Sequence, residues 1–145
     1  MIRWVDFEYG AEGRFKGTFF RDDEKQDELI VYANSDCPDF KECAEKCVDA
    51  LNHLDMSVIK EICEGFIRHA KESDGFELPA LDDPLDILDY WWFVALYVDM
   101  ENKEDKVGYV VEGEGEWDGL SGFVISDGHV VYVGPDFLEN ARNPY

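Results

Sequence analysis

Nine consecutive residues, Tyr90-Trp91-Trp92-Phe93-Val94-Ala95-Leu96-Tyr97-Val98, contain no charged or amide side chain. The run is too short to cross a bilayer as a helix, and its aromatic and β-branched content favours a strand. A strand without polar alternation is expected at the centre of a sheet, covered on both faces. The rest of the chain must supply that cover.

Two helical stretches precede it. Ser35-Asp36-Cys37-Pro38 announces a helix, with Asp36 or Cys37 at the cap and Pro38 in the first turn. Phe40, Ala44, Cys47, Leu51 and Leu54 then form one apolar stripe. Asp55 caps a second helix that turns Val58, Ile59, Ile62, Cys63, Phe66, Ile67 and Ala70 inward and ends near Ser73-Asp74-Gly75. The short join predicts a helical hairpin or sharp corner over 38–54 and 56–72. Asp83-Pro84 starts one further short turn of helix, to about Leu88.

Strands flank this helical pair. Trp4–Tyr9, Gly13–Phe20 and Glu28–Ala33 are short, aromatic or β-branched, and separated by turn residues, the polar run Arg21–Asp27 among them. After the apolar run, Met100–Asp105 reads as a charged loop and Lys106 to about Trp117 as the returning strand. Ser121–Ser126 and His129–Val133 are joined by Asp127-Gly128, a strong two-residue hairpin signal. Residues 135–145 read as a polar tail. The expectation is one α+β domain over 1–145, an antiparallel sheet of six or seven strands with the helices on one face.

Charge narrows the function. Over 145 residues, 34 Asp and Glu oppose 13 Lys and Arg, a formal charge of −21. Solubility of a small domain needs a magnitude of only about 2–8, and the excess repels itself in the compact state. Binding to a nucleic acid or an anionic membrane would need a basic surface, so neither is expected. The N-terminus reads directly as a strand, without an apolar leader behind a basic start, and the chain is expected to be cytoplasmic.

The carboxylates fall into two groups. Glu112, Glu114, Glu116 and Asp118 occupy alternate positions, which on a strand places them on one face at intervals of roughly 7 Å. Such a ladder is a solvated edge or end strand, a docking surface for a partner's cations, or a hard-cation site. A straight row does not converge on a metal as Mg²⁺ or Ca²⁺ requires. Asp82, Asp83, Asp86 and Asp89 precede the apolar run, where first-turn and capping carboxylates account for most of them.

The other reactive residues form no recognised set. Cys43, Cys47 and Cys63 lie on or beside the apolar stripes, and no Cys-x-x-Cys pair exists, so reduced, buried thiols without zinc are expected. No third residue orients a Cys–His pair. His129 begins a strand and faces solvent. The aromatics Tyr90, Trp91, Trp92, Phe93 and Tyr97 lack the flanking cations of a base-stacking surface and are assigned to the core. Gly113-Glu114-Gly115 sits inside a strand, the wrong context for a dinucleotide loop.

The segment Gly113–Ile125 followed by Asp127–Leu138 resembles the end of a family of small, uncharacterised bacterial β-α-β domains. Those domains carry a Trp-Asp…Gly…Ile…Asp-Gly…Val-Gly-Pro-x-Asp pattern, matched here by Trp117-Asp118, Asp127-Gly128 and Val133-Gly134-Pro135, with Asp136 following Pro135 directly and no residue between them. The resemblance implies a relation to immunity proteins of polymorphic toxin systems and offers no catalytic residues to carry over; no cofactor is expected. Together with the charge, it leads to an expected function: a non-catalytic acidic protein that neutralises a basic toxin such as a nuclease. Its candidate partner-binding residues are Glu112, Glu114, Glu116, Asp118, Asp82, Asp83 and Asp86. The alternatives are a stand-alone regulatory domain or a carboxylate- or metal-dependent enzyme.

Overall fold

The computed structural model describes residues 2–6, 8, 10–17, 28–99, 107–117 and 119–140. The turn expected over 21–27, the loop expected over 100–105, Asp118 and residues 141–145 lie outside them. The fold is α+β. The described elements run β1 (Arg3–Asp6), β2 (Ala11–Phe15), β3 (Leu29–Ala33), α1 (Phe40–Asn52), α2 (Met56–Glu72), a 3₁₀ helix (Pro84–Tyr90), β4 (Trp91–Val98), β5 (Gly108–Gly115), β6 (Gly119–Leu120), β7 (Gly122–Ser126) and β8 (His129–Gly134).

The strands make one sheet in the order β1-β2-β3-β4-β5-β7-β8, with β6 paired to the end of β5. Every pairing is antiparallel except β3–β4, where Val31 faces Leu96 and Tyr32 faces Tyr97 in parallel register. The exception follows from the connection. Both α-helices and the 3₁₀ helix lie between β3 and β4, and a crossover of that length returns the chain in its original direction.

Because both α-helices belong to one crossover, they cover one face of the sheet. Ala44, Cys47, Val48 and Leu51 of α1 join Ile62, Cys63, Phe66 and Ala70 of α2 in a core with Val31, Trp91, Phe93, Leu96, Tyr109, Val111, Phe123 and Ile125. Phe66 is its hub, stacked on Trp91 at 5.1 Å between ring centroids and tilted against Trp117 at 5.7 Å. Each such aromatic pair contributes about 0.5–1.5 kcal/mol beyond the area it buries. Helix α2 comes close to β8 at Gly65, where an added Cβ would lie 2.7 Å from the Val133 side chain. His69 Nε2 donates to the Val133 carbonyl oxygen at 2.9 Å.

Several expectations meet differences. Helix α1 begins at Phe40, later than Asp36 or Cys37, because 34–39 form turns held by Cys37 N–H to the Asn34 carbonyl and Phe40 N–H to the Cys37 carbonyl. Asp55 does precede α2, but its side chain makes no capping bond. Strand β4 is central yet not covered on both faces, since Trp92 is 40% exposed and Val94 and Tyr97 are half-buried. The polar tail contains a core residue: Phe137 is buried against Val110 and Val124 on the face opposite the helices. The Asp127-Gly128 turn forms as expected, with φ of 52° and 78°, the twist a tight hairpin requires.

Candidate functional site

Strand β5 alternates between two environments. Tyr109 and Val111 point into the helix-covered core, and Val110 belongs to the small cluster on the other face. Continuing the alternation, Gly113 and Gly115 face the helices while Glu112 and Glu114 face away. The glycines are there for the tryptophans. A Cβ on Gly113 would lie 2.1 Å from the Trp91 ring, and one on Gly115 would lie 2.5 Å from the Trp117 ring. Only glycine lets these indoles lie flat on the backbone.

The acidic ladder is therefore shorter than the sequence suggests, and it is not on an edge. β5 is an interior strand, bonded to β4 on one side and to β6 and β7 on the other. Glu112 and Glu114 are its ladder. Glu116 lies beyond the strand end, exposed in a turn where its N–H donates to the Tyr90 carbonyl oxygen. Asp118 is outside the described residues.

Neighbouring strands surround the two carboxylates with aromatic and apolar groups. Across the sheet, Trp92, Glu114 and Leu120 form one row of cross-strand partners, with Leu120 51% exposed. Tyr97 donates its hydroxyl hydrogen to Glu112 Oε1 at 2.7 Å. Its ring stacks on Tyr32 at 5.3 Å. Tyr32 bonds Glu12, and its phenol is pushed up first by burial and then by that bond and the Glu12 charge. Farther out, charges are balanced: Arg3 pairs with Glu28 at 2.6 Å and Arg14 with Glu12 at 3.3 Å. Among the described residues, neither Glu112 nor Glu114 takes part in an ion pair.

The second acidic group is occupied locally. Asp83 caps the 3₁₀ helix, accepting from Leu85 N–H at 2.9 Å, while Asp86 accepts from Asp83 N–H at 3.2 Å. Asp82 is exposed beside them. Asp83 and Asp86 hold the helix start, as the capping argument expected.

None of the four cysteines is in a disulfide; Cys43, Cys47 and Cys63 are buried. Cys47 donates to the Gly108 carbonyl oxygen, and burial pushes its thiol far up. Among the described residues, no three His, Cys, Asp or Glu side chains are grouped so as to hold a metal ion. No described helix is long and apolar enough to cross a membrane. A groove of about 480 Å³ lies between α2 and the 78–84 segment, lined by Ile67, Lys71, Leu78, Pro79, Leu81 and Pro84; Asp82 and Asp83 border it in sequence, and neither Glu112 nor Glu114 lines it.

Sequence reasoning missed Trp92, Tyr97 and Leu120 as surface residues. The signal was available: two helices within one crossover can cover only one face of a sheet, so the alternate residues of the apolar run had to be open. Residues 4–137 match the family described as Domain of unknown function, DUF6985. The chain belongs to this family. Comparison with curated proteins and with solved structures gives no match.

Proposed function

We propose that this DUF6985 chain is a non-catalytic acidic binding protein whose partner is a basic protein, and that it serves as an immunity protein neutralising a basic toxin such as a nuclease. The observation that carries the reading is the placement of Glu112 and Glu114 beside Trp92 on the sheet face that the helices leave open. Tryptophan is a favoured anchor of recognition surfaces, and the carboxylates beside it supply charge complementary to a basic partner. The overall charge of −21 supplies the long-range term. A nuclease holds phosphates and so presents an electropositive site, toward which an acidic protein is steered and whose phosphate path it can occupy. The resemblance of the C-terminal segment to immunity-related domains points the same way.

The test is isolation of the partner from the native host, followed by association kinetics. A basic partner is expected, with association slowing as salt rises, since exposed charges are screened beyond about 8 Å at physiological ionic strength. Dissociation should change less. A partner that is neutral or acidic at its contact surface, or turnover of a substrate by the chain alone, would overturn the reading.

A further inference from the structure

The open face has a chemical pattern more specific than negative charge. Glu112 and Glu114 are two residues apart on one strand, so their carboxylates repeat at roughly 7 Å. Trp92 stands directly across from Glu114, at a Cβ separation of roughly 5 Å for cross-strand partners. Leu120 stands on the other flank of Glu114, and Tyr97 holds Glu112 in place through its hydroxyl. A second copy of the chain does not suit this surface, because each copy carries −21. The complement is cationic.

Resting on the reading of the chain as a binder of a basic protein, we infer that the open face of β4, β5 and β6 docks an extended segment of that partner with arginines at alternate positions. Alternate side chains of an extended segment also repeat at roughly 7 Å, matching the pitch of the two carboxylates. Arginine fits better than lysine. Its planar guanidinium can stack on the Trp92 indole while its N–H groups bond a carboxylate, and it gives up its hydration more readily. β5 is already bonded on both sides, so the segment lies across the face and reads it through side chains.

The experiment is a titration of the full chain, followed by the ¹⁵N–¹H signals of its indoles, with a short peptide of alternating arginine and glycine. A lysine–glycine peptide of equal length is the control. The Trp92 signal should shift saturably while those of buried Trp91 and Trp117 stay in place. Glu112→Gln/Glu114→Gln should weaken binding about tenfold or more, since both charge-assisted acceptors are neutralised. Trp92→Ala should weaken it too, and the lysine peptide should bind severalfold less tightly. Equal affinity in the glutamine variant, with shifts mapping instead to the 82–89 segment, would overturn this docking surface and leave the basic-partner reading standing. Absence of saturable binding by either peptide would overturn the surface, and the basic-partner reading would then be decided by the charge of the isolated partner.

Discussion

On the helix side of β5, Tyr109, Val111, Gly113 and Gly115 meet rings and aliphatic chains with no space to spare; on its other side Val110, Glu112 and Glu114 meet one small cluster and then solvent. The two faces are written by alternate letters of the same strand, and different physics governs them. The covered face is set by volume, down to glycines that exist because indoles lie on them. The open face is set by charge and by aromatic groups that are only partly buried. A change on the first should cost stability, and a change on the second should cost binding.

The largest effect expected is on the covered face. Trp91→Ala removes the ring that stacks on Phe66, and it should destabilise the protein by about 3–5 kcal/mol in denaturant unfolding. Its sequence neighbour in Trp92→Ala should cost less, about half as much, because the ring is already 40% exposed. Equal losses for the two would erase the distinction between the faces.

Phe137→Ala sharpens the comparison from the other direction. This residue lies in the small cluster of the open face, yet it is buried with Val110 and Val124. A loss of about 3 kcal/mol is expected by the same measurement, which would make the C-terminal turn part of the fold. Gly113→Ala comes next. Its Cβ would meet a fully buried indole, and overpacking of that kind costs about 1–3 kcal/mol.

The pH dependence also divides the faces. Burial raises the Cys47 thiol and the Tyr109 phenol well above their ordinary ranges, so the folded state holds protons that the unfolded chain gives up. The stability this contributes is fully present below the ordinary thiol range and is lost as pH rises beyond it. Thermal midpoints should therefore fall above about pH 9, and Cys47→Ala should make that fall shallower. A midpoint that stays level from neutral to strongly alkaline pH would contradict the assignment. The smallest effect on stability is expected from Glu112→Gln/Glu114→Gln, within about 0.5 kcal/mol, with relief of mutual repulsion offsetting a weaker, uncharged acceptor for the Tyr97 hydroxyl.

Much of the covered face was legible in the sequence because packing leaves a periodic trace. The stripes of α1 and α2, the Asp127-Gly128 turn and the strand positions all follow from spacing and turn chemistry. The open face was less legible for a physical reason. Trp92, Val94 and Tyr97 are as apolar as Trp91 and Phe93, so composition cannot distinguish a half-exposed side from a buried one. The alternating glutamates gave the correct face for Glu112 and Glu114 but not its limits. The strand stops at Gly115, and Glu116 continues the spelling of the pattern without its geometry. Phe137 was hidden by its polar neighbours, since one residue anchoring a turn leaves no period to detect. The parallel β3–β4 pair was missed because it depends on where the crossover returns the chain.

The most direct test of the two-face account uses one variant and two readings. With the isolated basic partner in hand, Glu112→Gln/Glu114→Gln is compared with the natural chain for association rate at low salt and for thermal midpoint. The account predicts an association rate reduced by about tenfold, in keeping with the leverage of steering charges, a flatter salt dependence, and an unchanged midpoint. An unchanged association rate, or a midpoint that collapses with the rate, would contradict it.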